Sequence, residues 1–128
     1  MPAVLFQLTS DDNNYIGALK AQTREAGITG AANDSNPATL TEVLIRMREK
    51  NCSAVATNNL ALLKLLLHAN GTNLGRSQAK IDDFAGSIIE VSGVEFLIIN
   101  PLKQLFTKPE GKFIFQRYLK KLAKPNDW

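Results

Sequence analysis

Near its start the chain carries the run "AVLFQL" at 3–8, bounded by Pro2 and by Thr9-Ser10. An apolar run of that length between turn formers predicts a short buried strand. Asp11 or Asp12 is placed to cap a following helix in which Ile16, Leu19 and Thr23 face inward and Gly27 is the stop. Residues 28–38, "ITGAANDSNPA", are small and polar with no helical stripe, and predict a loop. Thr39 and Glu42 then stand at capping-box spacing. Leu40, Val43, Leu44 and Met47 form an apolar stripe opposite Arg46, Glu49 and Lys50. "CSAVAT" at 52–57 reads as a second buried strand, and Asn58-Asn59 turns the chain into the very apolar helix "LALLKLLLHA", which ends before Gly71. "NGTNLGRSQAK" at 70–80 predicts another loop. Strands at 86–91 and 94–99, separated by Ser92-Gly93, predict a hairpin. A last helix, roughly 110–124, collects Phe115, Tyr118, Leu119 and Leu122 on one side and Arg117, Lys120, Lys121 and Lys124 on the other.

Short apolar strands flanked by helical stripes predict an α/β fold: a three-layer α/β/α sandwich with a short, mostly parallel central sheet. Right-handed crossovers then place helices on both faces. A chain of 128 residues is expected to form a single domain spanning 1–128. Its 45% hydrophobic and 21% charged residues suit a globular domain rather than a disordered one. No apolar run reaches the ~18 residues that a membrane-spanning helix requires, and the first residues lack the zones of a signal peptide. No membrane partner and a cytoplasmic location are therefore expected.

Charge changes the picture at one end. Residues 1–100 hold 8 Lys/Arg against 10 Asp/Glu, whereas residues 101–128 hold 7 against 2. A basic segment on a near-neutral body suits a polyanion contact, and a solvated helix face equally. Side-chain chemistry removes several classes. A single cysteine, Cys52, excludes an internal disulfide and any multi-cysteine zinc or iron–sulfur site, and a small buried thiol is favoured. The one histidine, His68, lies in a leucine-rich helix without ligand-spaced partners, so neither a metal site nor a nucleophile triad is expected. Phosphate-binding glycine motifs are absent. Asp11-Asp12 and Asp82-Asp83 are adjacent on the chain, where capping or turn roles explain carboxylates better than acid–base pairing. No cofactor is expected.

Three stretches carry a resemblance: "CSAVATNNLALLKLL" after a helix, "KIDDFAGSIIEVSGVEFLII", and "NPLKQLFTKPEGKFIFQRYLKKL". Their order from residue 39 onward resembles the C-terminal half of the uracil-DNA glycosylase superfamily. It is also similar to the diverged glycosylase-like segments at the N-terminus of some bacteriophage DNA polymerases of the A family. The resemblance implies a catalytic His-Pro step after the last core strand, a loop entering the DNA minor groove, and a closing helix. This chain departs from it at the working positions. "LTSDDNN" stands where members carry a glycine-rich, acid-bearing turn, so Asp11 and Asp12 are degenerate stand-ins. Asn58 replaces the glycine of the second turn, Ala85 a family arginine, and Asn100-Pro101 the His-Pro. Asparagine offers a hydrogen bond to a developing oxyanion but not the positive charge of an imidazolium.

The resemblance thus implies a non-catalytic glycosylase-like domain of a DNA replication or polymerase protein, in a host cytoplasm if phage-encoded. Its implied DNA-contacting residues are Lys103, Gln104, Lys108, Lys112, Arg117, Lys120, Lys121 and Lys124, with weak, sequence-indifferent binding. Two alternatives stay open. One is an active, atypical glycosylase using Asp11 or Asp12 on water and Asn100 as electrophile; the other is a protein-docking domain unrelated to DNA. The ending "KLAKPNDW" suits a boundary to a following domain, such as a polymerase, and also suits a tail that packs back.

Overall fold

A computed structural model describes residues 3–9, 14–33, 37–71 and 80–122. In chain order these form β1 (Ala3–Gln7), α1 (Ile16–Glu25), β2 (Thr29–Asn33), α2 (Leu40–Glu49), β3 (Ala54–Thr57) and α3 (Leu60–Ala69). There follow α4 (Ile81–Phe84), β4 (Ile88–Val91), β5 (Val94–Ile98), α5 (Leu102–Phe106) and α6 (Gly111–Leu122). The strands make one sheet in the order β2-β1-β3-β5-β4. β1 pairs parallel with β2 and β3, β3 parallel with β5, and only β4 runs antiparallel, on β5. The fold is mixed α/β with a mostly parallel sheet, and the four strands expected from the sequence share it.

Period-two alternation sorts each strand onto two helical layers. Val4, Phe6 and Leu8 of the β1 segment pack with Leu19 of α1, with Leu102 and Leu105 of α5, and with Phe115 and Leu119 of α6. Leu5, Val55, Phe96 and Ile98 point the other way, onto Val43 and Met47 of α2 and the leucines of α3. Strands buried on both faces require near-continuous apolar runs, which is why β1, β3 and β5 stand out in the sequence.

Two expectations are corrected. Residues 28–38 are not all loop, because Thr29–Asn33 is an edge strand in parallel register with β1, Ala3 opposite Thr29 and Gln7 opposite Asn33. Its composition is poor for a strand, and pairing with β1 overrides that. The small residues fit the place: a Cβ on Gly30 would lie 2.9 Å from the Phe6 ring. The stretch "NPLKQLFTKPEGKF" is not an open loop either. Its Leu102–Phe106 segment is α5, and Leu102 and Leu105 are buried in the core. At the start of α1 the N-cap position is Tyr15, whose side chain makes no cap hydrogen bond; Asp11 and Asp12, the expected caps, lie outside the described residues.

Other local signals fold as their chemistry dictates. Thr39 Oγ1 accepts the Glu42 N–H at 3.3 Å and caps α2. Ser92 and Gly93 both adopt left-handed φ, of 55° and 77°, which suits the twist of the two-residue β4–β5 turn.

Candidate functional site

The strand order reverses between β1 and β3, with α1 on one face and α2 on the other. In open α/β sheets ligands bind outside the carboxyl ends of the strands at such a reversal. That edge here is lined by buried carboxamides and hydroxyls: Gln7, Thr57, Asn58 and Asn59. The Arg46 guanidinium donates to Gln7 Oε1 at 2.8 Å, and Gln7 Nε2 donates to Asn33 Oδ1 at 3.5 Å. The Thr57 hydroxyl donates to the Gln7 carbonyl at 2.7 Å and accepts the Asn59 N–H at 2.9 Å. Asn59 Oδ1 caps α3 by accepting the Leu62 N–H at 3.1 Å, while its Nδ2 donates to the Leu8 carbonyl at 3.4 Å. These groups donate and accept but do not titrate near neutral pH, so they hold strand ends together without supplying an acid or a base.

Asn100-Pro101 leaves β5 at the same edge. The Asn100 Nδ2 donates to Asp82 Oδ1 at 3.2 Å, and Asn100 Oδ1 accepts the Tyr118 hydroxyl at 2.9 Å. A carboxylate only accepts, so Asp82 fixes which way the Asn100 amide points. Gln104 Nε2 reaches Asp82 Oδ2 at 3.5 Å, and Asn58 Nδ2 donates to the Asn100 backbone carbonyl at 3.4 Å. Asp82, in the first turn of α4, is therefore an anchor between elements rather than half of an acid–base pair. Burial, and then the neighbouring Asp82 charge, push the Tyr118 hydroxyl above its usual acidity range, with Arg117 opposing.

No protein-family model, curated protein or solved structure matches this chain.

The basic end is built on α5, a turn at 107–110, and α6. Lys103, Gln104, Lys108, Lys112, Arg117, Lys120 and Lys121 are all exposed, and Lys124 lies outside the described residues. They do not form one surface of equivalent charges. Lys121 donates its ammonium to the Gly86 carbonyl and stands 5.9 Å from the Tyr118 ring, whereas Lys112 stands 5.3 Å from the Phe113 ring. Gly111 sets the turn. A Cβ there would fall 1.3 Å from the Leu105 carbonyl oxygen, so only glycine lets α6 start against α5. Its N–H donates to the Lys108 carbonyl at 3.1 Å.

Two clefts flank this turn, and Lys108 borders both. One, of about 240 Å³, lies beside Asn100, Gln104, Glu110 and Tyr118. The larger, of about 460 Å³, lies between α1 and the turn, against Gln22, Phe106, Lys112 and Phe113. Phe113 is not among the residues expected to contact DNA; its signal in the sequence is its place two residues before Phe115, off the apolar stripe of α6. Elsewhere, His68 is exposed, and Cys52 is half-buried with its thiol pushed up by burial. Among the described residues no helix is long and apolar enough to cross a membrane, and no three His, Cys, Asp or Glu side chains gather as a metal-binding group.

Proposed function

We propose that the chain is a non-catalytic, uracil-DNA glycosylase-like domain that contacts DNA through its basic C-terminal elements, as a docking module of a replication enzyme such as a phage DNA polymerase. The observation that carries the reading is the commitment of Asn100. It stands where the resemblance expects the His-Pro step, yet its side chain spans Asp82 and Tyr118 inside the fold. An electrophile has to aim its donor at the atom where charge develops. Asn100 aims one amide proton at a carboxylate that holds it in place.

Support for DNA contact comes from the exposed Lys103, Lys108, Lys112, Arg117 and Lys120 on consecutive elements of an otherwise near-neutral chain. Phosphate neutralisation by a few such cations gives salt-sensitive, sequence-indifferent binding. The test is retention of a labelled oligonucleotide across a salt series, with uracil release measured in parallel. Retention at low salt without uracil release is expected. Uracil release that vanishes in Asn100→Ala would make the chain an enzyme. Absence of retention even at low salt would leave the protein-docking reading.

A further inference from the structure

The larger cleft has features that a general phosphate contact does not need. Phe113 is 62% exposed, the most exposed large hydrophobic side chain among the described residues. Its ring lies on the rim of the cleft with Lys112 Nζ 5.3 Å from its centre, and Lys108 lies on the same rim. Phe106 lines the cleft, held edge-on to the buried Phe115 ring at 5.5 Å. Gln116 Nε2 donates to the Gln22 carbonyl at 2.7 Å and to Gln22 Oε1 at 2.9 Å, which fixes α1 against α6 alongside. Among the described residues no carboxylate lines this cleft. An exposed aromatic ring with the Lys112 ammonium beside it, on a cleft that Lys108 also lines, complements an anionic chain that carries flat, unpaired rings.

We infer that this cleft is a stacking site for a single-stranded nucleic-acid segment, with one base on Phe113 and the adjoining phosphates on Lys108 and Lys112. The inference rests on the proposed DNA contact and narrows it. Duplex DNA offers phosphates to the lysines, but its bases are stacked on each other and withheld from Phe113. An unpaired strand offers both. Lys108 also borders the smaller cleft, beside Gln104 and Asn100.

The test compares a labelled oligothymidylate of about ten nucleotides, within the span of a single-strand site, with a hairpin duplex, both by fluorescence anisotropy. Phe113→Ala is expected to weaken oligothymidylate binding about tenfold or more, as loss of one base–aromatic stack does. It should leave hairpin binding and both salt slopes unchanged, and Phe113→Trp should restore affinity. Lys108→Ala with Lys112→Ala should flatten the single-strand salt slope by about 1.4, near 0.7 per phosphate. Equal oligothymidylate binding by Phe113→Ala and the native chain, with the hairpin still retained, would overturn the stacking site and leave the DNA contact standing. Failure of both probes to bind at low salt would overturn both. Displacement of the oligothymidylate by polyglutamate, equally from the native chain and from Phe113→Ala, would mark an unspecific anion surface and also overturn it.

Discussion

The Tyr118 hydroxyl donates to the side-chain carbonyl of Asn100 at 2.9 Å, tying α6 to the residue that follows the last core strand. With Asp82 on the amide side and Asn58 on the backbone carbonyl, Asn100 joins the exits of β3 and β5 to α4 and α6. A side chain used in this way orients the Pro101 step and the basic elements beyond it. Its role is positional.

Tyr118→Phe removes the donor and leaves Asn100 Oδ1 in a partly buried place. We expect a loss of about 1 kcal/mol in unfolding free energy, the usual worth of one such bond. Asn100→Ala should cost more, because Asp82 and Tyr118 each lose a hydrogen bond. Denaturant midpoints check this, and a smaller loss for Asn100→Ala than for Tyr118→Phe would remove the strut.

The same tyrosine gives the fold a pH signature. Burial, then Asp82, raise its folded pKa above the ordinary value of 10.0. Above about pH 10 the unfolded chain has lost a proton that the folded chain still holds, so stability falls as pH rises. The contribution is complete below pH 10 and lost on passing through the folded pKa. Unfolding midpoints from pH 9 to pH 11.5, an interval set about the reference tyrosine pKa, should therefore drop more steeply for the native chain than for Tyr118→Phe. Parallel curves would mean that the shift is absent.

At Gly111 two effects compete. Alanine in a helix is favoured over glycine by about 1 kcal/mol. The added Cβ would meet the Leu105 carbonyl oxygen at 1.3 Å, and a backbone atom cannot rotate away. Overpacking of this kind costs about 1–3 kcal/mol and sometimes more, so the clash should win. We expect Gly111→Ala to be destabilising in thermal unfolding, and to displace the turn that carries Lys108. A stabilised variant would show that α5 and α6 separate freely.

The β4–β5 hairpin carries a like-charge pair, Glu90 directly opposite Glu95. Opposite charges there are worth roughly 0.2–1 kcal/mol and like charges are unfavourable. Glu90→Lys should raise the unfolding midpoint, and the gain should shrink as salt is added. A gain independent of salt would point to strand propensity rather than charge.

Much of the architecture was legible because burial on both faces leaves its mark on a strand. "AVLFQL", "AVAT" and "VEFLI" are such marks, and Ser92-Gly93 fixes its own turn. β2 was not legible, since "TGAAN" has neither apolar weight nor alternation and becomes a strand only by pairing with β1. α5 was hidden for a related reason. In five residues it buries Leu102 and Leu105, with Phe106 half-buried beside them, among Lys103 and Gln104, too short for a stripe. At the site, the sequence marked Asn100-Pro101 and the exposed cations. It could not mark what Asn100 touches, because Asp82 and Tyr118 are each 18 residues away along the chain.

The cations of the basic end are not equivalent, which makes the DNA contact separable from the fold. Contact with three or four phosphates should give a log–log salt slope of about −3 on duplex DNA, near 0.9 per phosphate. Lys103, Lys108 and Lys112 are exposed on α5, the turn and the start of α6. Replacing all three by glutamine should bring the slope to about −1 or shallower, with little change in thermal stability, as for exposed side chains generally. Lys121→Met should behave in the opposite way, because its ammonium is bound to the Gly86 carbonyl. Stability should fall, while the slope changes little. If the triple variant keeps the full slope, the contact lies elsewhere on the chain. If Lys121→Met flattens the slope and spares the fold, that lysine serves the partner rather than the β4–α6 junction.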